Sequence, residues 1–210
     1  MSKLAFIFPG QGAQKAGMGK DFYENSEAAR SFFDQAQKIL DFDLKEMCFG
    51  EHEELNLTEY TQPCMVSVCL AIVQELKKRG INPDITAGLS LGEYAAVAAA
   101  GGMNELDAIK LVRRRGILMQ STVPAGEGAM AAVLGLDAKK IEEILESFEN
   151  VWIANYNCPG QIVITGLTNE VQQASLALKE AGAKRVVELK VSGPFHSLLL
   201  KPAGEALLQE

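Results

Sequence analysis

The chain of 210 residues is 48% hydrophobic and 22% charged, values typical of a globular protein with one large domain or two small ones, so extensive disorder is excluded. Its 20 Lys and Arg against 27 Asp and Glu give a net charge of -7, which disfavours nucleic acid as a partner because binding to a phosphate backbone needs a basic face. No apolar run has the length of a membrane helix and the N-terminus does not resemble a signal peptide, so we expect a cytoplasmic protein with no membrane partner.

The first half of the chain alternates short strands with helices, which predicts an α/β fold. Residues 3–8 form an apolar run that ends at Pro9 and Gly10, a pattern typical of a buried parallel strand and the loop that follows it. Such loops are where α/β proteins place their functional sites. The predicted elements are a strand at 3–8, helices within 25–47 and at 65–79 (opened by Thr61-Gln62-Pro63 and closed by Gly80), a strand at 84–88 and a helix at 95–100.

A further predicted helix carries three consecutive arginines. Asn104 is predicted to cap this helix, and an apolar stripe follows from Ala108 to Met119. Since successive helical residues point about 100° apart, Arg115 is the one of the three arginines that lies on the stripe. A buried guanidinium needs an anionic partner, and either a protein carboxylate or a substrate carboxylate would serve.

From residue 129 the pattern changes to the order βαββαβ, which is typical of the ferredoxin-like split unit. The predicted strands are 129–136, 151–156, 161–165 and 185–191, and the predicted helices are 138–148, capped by Asp137, and 168–181. We assign residues 128–191 to a small inserted subdomain, because the flanking segments, 1–127 and 192–210, resemble parts of one larger α/β domain.

Residues 88–92 match the nucleophile motif G-x-S-x-G at a predicted strand-to-helix turn, the context that the motif requires. The two glycines leave room for a strained serine backbone and for the close approach of neighbouring chain. The helix that follows would direct its N-terminal amides at an oxyanion. Ser90 is therefore a candidate nucleophile, and the alternative is a serine that only caps a buried helix.

A serine nucleophile needs a base, for which His196 is the candidate. It lies at a Gly-Pro turn where the chain returns from the small subdomain to the large one, and taken alone it would be interpreted as a structural histidine. His52 lies in an acidic stretch that we interpret as a solvated loop. The four cysteines form no C-x-x-C pair and zinc-type spacing is absent, so we expect reduced, mostly buried thiols and no metal.

Seven segments, spread over the whole chain, together carry a specific resemblance. They are 8–14, 17–19, 88–94, 115–116, 128–133, 155–161 and 195–197. In order and spacing they resemble the malonyl-CoA:acyl carrier protein transacylases, which supply malonyl groups to type II fatty acid synthesis. The resemblance implies a large α/β-hydrolase-like subdomain with a ferredoxin-like insertion, malonyl-CoA and acyl carrier protein as partners, and no cofactor.

The resemblance also implies roles for individual residues. Ser90 would be the nucleophile, His196 its base, and Arg115 the clamp for the malonyl carboxylate, while the backbone amides of Gln11 and Leu91 would form the oxyanion hole. The implied mechanism is ping-pong, with a malonyl ester on the serine between coenzyme A release and transfer to the carrier protein.

Phe195 resembles the phenylalanine of the Phe-His pair in malonyl-selective acyltransferases, which implies a preference for malonyl over methylmalonyl. Two features depart from the family: Leu89 stands where histidine is usual, and the family continues beyond residue 210, so we expect later strands of the large subdomain to be missing. Two alternative functions remain. One is a serine thioesterase or esterase, which would not require Arg115, and the other is an inactive fragment that binds carrier protein.

Overall fold

The computed structural model describes residues 3–189, 191 and 193–210. The chain forms two compact units, Met1–Ile117 and Leu118–Glu210. Each unit combines helices with strands, which confirms the predicted α/β class. The boundaries of the predicted small subdomain, 128–191, stay a prediction. Among the described residues, no helix is both long enough and apolar enough to span a membrane.

The first unit contains a two-stranded parallel sheet. Its elements are β1 (Ala5–Phe8), α1 (Lys20–Asn25), α2 (Glu27–Gln37), α3 (Leu44–Phe49), a 3-10 turn (Glu53–Asn56), α4 (Thr58–Lys78), β2 (Ile85–Gly88), α5 (Gly92–Ala99) and most of α6 (Glu105–Thr122). Parallel pairing of β1 with β2 confirms the predicted strands. The predicted burial of β1 is wrong for Ile7, which is 79% exposed, because side chains alternate between the two faces of the strand. Phe8 enters the core shared with α5 and Phe6 packs against it.

The helical region predicted at 25–47 divides into α2 and α3. Ser26 caps α2 by accepting a hydrogen bond from the Ala29 amide (3.1 Å), and Asp43 caps α3 by accepting one from the Glu46 amide (2.9 Å). The Gln37 side chain binds the connecting backbone, since it donates to the Phe42 carbonyl and accepts from the Leu44 amide. Ser26 and Asp43 therefore each begin a helix, and Gln37 fixes the connection between the two.

Helix α4 begins at Thr58, earlier than the predicted start, and Pro63 lies inside it. Proline has no N–H, so the Glu59 carbonyl four residues before it loses its usual helical donor. Arg113 of α6 replaces that donor, since its Nη1 lies 2.8 Å from the Glu59 carbonyl oxygen. Close approach of the two helices depends on Gly116, where a Cβ would lie 2.7 Å from the Glu59 Cα. Helix α4 therefore continues through the proline because α6 satisfies its open carbonyl.

Arg113→Ala is expected to lower the free energy of unfolding by about 2–4 kcal/mol. The Arg113 side chain is 12% exposed, and the substitution removes its ion pairs with Asp41 and Glu59 together with its stacking on Phe42 and Tyr60. Urea denaturation measures the change. Lys110→Ala on the same helix is the matched control, because its 3.7 Å pair with an exposed aspartate should contribute less than about 0.5 kcal/mol. Equal losses for the two variants would contradict the stabilising role of Arg113.

The second unit contains a four-stranded antiparallel sheet in the strand order β4, β5, β3, β6. Its elements are β3 (Gly128–Leu134), α7 (Ala138–Leu145), β4 (Val151–Cys158), β5 (Gln161–Leu167), α8 (Thr168–Glu180), β6 (Arg185–Glu188), a 3-10 turn (Leu198–Leu200) and α9 (Lys201–Leu207). The first six elements follow the predicted order βαββαβ. The predicted cap is confirmed, since Asp137 accepts from the Lys139 amide at 3.0 Å. Strand β6 ends before the predicted residue 191, and Lys190 and Ser192 lie outside the described residues.

Candidate active site

Ser90 lies in the turn between β2 and α5, as the motif predicts. Its φ is 51°, in the left-handed region that side-chain-bearing residues rarely adopt. Helix α5 begins at Gly92 and has Leu91, not Ser90, at its N-cap position. The interpretation of Ser90 as a simple helix cap is therefore wrong, and the strained backbone is the conformation expected of a nucleophile turn.

The two glycines of the turn are required by backbone packing. A Cβ on Gly88 would lie 2.1 Å from the Gly92 carbonyl carbon, and a Cβ on Gly92 would lie 2.3 Å from the carbonyl oxygen of Phe8. Both distances are too short for any side chain. The motif glycines thus allow β1, β2 and α5 to meet at the turn that carries Ser90.

The loop after β1 lies against the same turn. A Cβ on Gly10 would lie 2.8 Å from the Leu89 carbonyl oxygen, and the Leu89 amide donates to the Phe8 carbonyl at 3.1 Å. Within the described part of the chain, no hydrogen-bond acceptor is paired with the backbone amide of Gln11 or Leu91. Backbone amides without a protein acceptor, near a serine nucleophile, are the groups that an oxyanion hole uses.

The Gln11 side chain is held by two residues that the sequence did not indicate. Its Nε2 lies 3.3 Å from Thr58 Oγ1, and the Gln62 side chain lies 3.5 Å from its Oε1. Both partners belong to the first turns of α4, which extend earlier along the chain than predicted. No local pattern could have shown this link, because the partners are 47 and 51 residues away.

Arg115 lies on the inner side of α6, partly buried, as the stripe predicts. Its guanidinium carbon is 5.4 Å from the centroid of the Tyr94 ring. In the described part of the chain no carboxylate lies within ion-pairing distance of it, and burial lowers the pKa of this guanidinium while Tyr94 and Glu93 oppose the change. The structural ion pair is instead made by Arg113, which the helical stripe alone did not reveal.

His196 and Phe195 belong to the second unit. His196 has a φ of 60°, and it and Ser90 are the non-glycine residues with positive φ in the described ranges. Phe195 is 9% exposed and packs with Met119, Met130 and other apolar residues of that unit. The Ser197 hydroxyl donates to the Pro194 carbonyl at 2.7 Å and closes the turn around His196. Strained backbone at both predicted catalytic positions is the feature that separates them from ordinary polar residues.

The remaining reactive side chains show no metal or disulfide arrangement within the described residues. Cys48 and Cys64 are buried, as expected, whereas Cys158 is exposed. Burial raises the pKa of the Cys69 thiol to about 11, so this cysteine is protonated at neutral pH. His52 lies in a loop among exposed glutamates, as predicted, and its Nε2 is 3.0 Å from a carboxylate oxygen of Glu46.

Residues 5–210 match a family model described as the acyl transferase domain. The chain belongs to the acyl transferase family. The predicted enzyme class is thereby confirmed. This acyl transferase is 50% identical to a malonyl CoA-acyl carrier protein transacylase of Bacillus subtilis over 99% of its own length and 67% of the relative. It is 48% identical to a protein of the same name in Staphylococcus aureus, of which it covers 66%.

Solved structures agree with this assignment. The acyl transferase matches malonyl CoA-acyl carrier protein transacylase of Clostridium perfringens with a TM-score of 0.92 and 43% identity, over 99% of this chain and 67% of that one. It matches a malonyl-transacylase in complex with a type II PKS acyl-carrier protein with a TM-score of 0.93 and 41% identity, over 98% and 68%. The predicted resemblance to the malonyl transacylases is confirmed, and the chain spans about two thirds of the length of the curated relatives it matches.

Proposed function

We propose that this protein transfers the malonyl group of malonyl-CoA to the phosphopantetheine thiol of an acyl carrier protein. The observation that carries the proposal is the strained backbone of the Ser90 turn in a chain 50% identical to a malonyl transacylase. The amides of Gln11 and Leu91, which have no acceptor among the described residues, support it. A malonyl-transacylase of this fold is known in complex with an acyl-carrier protein, which supports the second partner. The cytoplasmic location stays a prediction.

The proposed mechanism has two half-reactions that use the same groups. Ser90 Oγ attacks the malonyl thioester carbonyl while His196 takes its proton, and the Gln11 and Leu91 amides stabilise the oxyanion. Collapse breaks the carbon–sulfur bond, and coenzyme A leaves as its thiol with the proton from His196. The carrier-protein thiol then attacks the serine ester in the same way, and Ser90 is regenerated. This chemistry uses protein groups and needs no cofactor.

We also propose that the two units correspond to the family's subdomain plan. The parallel strands and the Ser90 turn of the first unit fit an α/β-hydrolase-like subdomain. The antiparallel order β4, β5, β3, β6 with two helices fits a ferredoxin-like unit inserted at 128–191. Limited proteolysis is a direct test. A folded insert should be cleaved near the predicted boundaries at 128 and 191 and should resist cleavage between these two positions.

We assign Arg115 as the clamp for the malonyl carboxylate. A partly buried guanidinium without a described carboxylate partner is suited to bind a substrate anion through two parallel hydrogen bonds.

Arg115→Ala should lower malonyl transfer by about a hundredfold or more and acetyl transfer far less, because only malonyl carries the free carboxylate. The ratio of kcat/KM values for malonyl-CoA and acetyl-CoA measures this. Equal losses for the two acyl groups would contradict the clamp.

Phe195 is proposed to limit space at the malonyl α-carbon. Phe195→Ser should lower the ratio of malonyl to methylmalonyl transfer. A single methyl group can account for a ratio of about 10- to 200-fold in an apolar pocket. Phe195 is buried in an apolar cluster, so its substitution will also lower stability. The ratio of the two rates, measured on one preparation, does not depend on the fraction of folded protein. An unchanged ratio would remove Phe195 from the specificity pocket.

The decisive experiment supplies malonyl-CoA with and without holo acyl carrier protein. Intact-mass analysis should show a malonyl adduct on the protein and then on the carrier, with little free malonate. Free malonate without carrier product would indicate the thioesterase. Carrier binding without any adduct would indicate the inactive binding fragment.

A further inference from the structure

Arg115 and the Ser90 turn are linked by one aromatic side chain. Tyr94 lies four residues after Ser90, in the first turn of α5, and its ring faces the Arg115 guanidinium at 5.4 Å. This separation is within the range of cation–π attraction. Helix α5, which begins at the nucleophile turn, therefore also contacts the proposed substrate clamp on α6.

The two partly buried arginines of α6 are held in very different ways. Arg113 donates to two carboxylates and a backbone carbonyl, and it stacks on two rings. Among the described residues, Arg115 lies over the Tyr94 ring, and Glu93 attracts it electrostatically without an ion pair. An aromatic face attracts the cation without occupying its N–H donors, so those donors stay available to an incoming carboxylate.

We propose that Tyr94 is a positioning residue for the malonyl clamp, holding the Arg115 guanidinium by its face so that its donors meet the substrate carboxylate in a fixed orientation. The inference rests on the proposed function. A carboxylate partner in place of the ring would fix the guanidinium equally well but would compete with malonyl for the same donors. The long, flexible arginine side chain would otherwise have to be ordered by the substrate at each turnover.

The test compares Tyr94→Leu with Tyr94→Phe in the wild-type and Arg115→Ala backgrounds. The readout is the ratio of kcat/KM for malonyl-CoA to that for acetyl-CoA, which does not depend on the fraction of folded protein. Tyr94→Leu should lower this ratio by about 5- to 30-fold, mainly through a higher KM for malonyl-CoA. Tyr94→Phe retains the ring and should keep the ratio within about twofold.

The double variant isolates the mechanism. In the Arg115→Ala background, Tyr94→Leu should leave the ratio unchanged, because the group that it positions is gone. Tyr60→Leu is the matched control, since Tyr60 stacks on Arg113 at 4.9 Å and its loss should reduce stability without moving the ratio.

Three results would overturn the inference: an unchanged ratio in Tyr94→Leu, a drop of equal size in the Arg115→Ala background, or an equal loss in Tyr94→Phe. Failure of the proposed function looks different. In that case Arg115→Ala itself would leave the ratio unchanged, or the wild-type protein would form no malonyl adduct.

Discussion

Ser90→Ala is expected to abolish the malonyl adduct and to reduce malonyl transfer by a factor on the order of 10⁶. Alanine has the same Cβ as serine, so the steric cost of the turn at φ 51° is unchanged. The substitution therefore removes the hydroxyl and leaves the fold in place. The neighbouring amides of Gln11 and Leu91 cannot stabilise a tetrahedral oxyanion that no nucleophile forms. Intact-mass analysis after incubation with malonyl-CoA measures the adduct.

Ser121→Ala is the matched control for this loss. Ser121 is an exposed serine near the end of α6 whose hydroxyl donates to the Leu118 carbonyl. This variant should form the adduct in full. Persistence of the adduct in Ser90→Ala, with a mapped ester on another side chain, would place the nucleophile elsewhere.

Gly92→Ala is expected to lower the free energy of unfolding by about 3 kcal/mol or more and malonyl transfer by about a hundredfold. The added Cβ would lie 2.3 Å from the Phe8 carbonyl oxygen and 2.7 Å from that of Pro9. These are backbone atoms of β1 and its loop, which cannot rotate away as the end of a flexible side chain could. The strand or α5 must move, and the amides proposed to form the oxyanion hole move with it. Urea denaturation and single-turnover acylation measure the two effects.

Gly204→Ala provides the opposite control in the second unit. Gly204 lies within α9, and an added Cβ there meets no atom within 4 Å. The substitution should increase stability by about 0.5–1 kcal/mol, since alanine has the higher helix propensity. A similar loss in Gly92→Ala and Gly204→Ala would show that general glycine effects, and not the contact with β1, decide the outcome.

The features that the sequence predicted well are local ones. The Ser90 turn and the caps at Asn104 and Asp137 depend on a few neighbouring residues, and the structure has all of them. The start of α4 was predicted wrongly because proline usually lies in the first turn of a helix. The donor that rescues the interior Pro63 comes from Arg113, 54 residues from Glu59, and no local pattern contains that information.

The site shows the same division between local and distant contacts. Arg115 was assigned to a helical face correctly, but its aromatic neighbour Tyr94 lies on another helix. The periodicity that selected Arg115 left Arg113 off the apolar stripe, although the Arg113 side chain is only 12% exposed. A stripe of apolar residues identifies one packed face of a helix. Helix α6 packs on two sides, and on the second side the buried residue is an arginine.

The contact between Arg113 and the open carbonyl of Glu59 has a mechanical consequence for the proposed clamp, Arg115. Positions 113 and 115 lie about 200° apart around α6, so a bond at the first fixes the rotational setting of the second. A roll of about 20° would carry a group about 6 Å from the helix axis through about 2 Å. A displacement of that size exceeds what an aligned carboxylate pair tolerates. Pro63 leaves the Glu59 carbonyl without its helical donor, and Arg113 takes that place. We therefore expect a proline on α4 to restrain the rotation of α6 and, with it, the direction in which Arg115 leaves the helix.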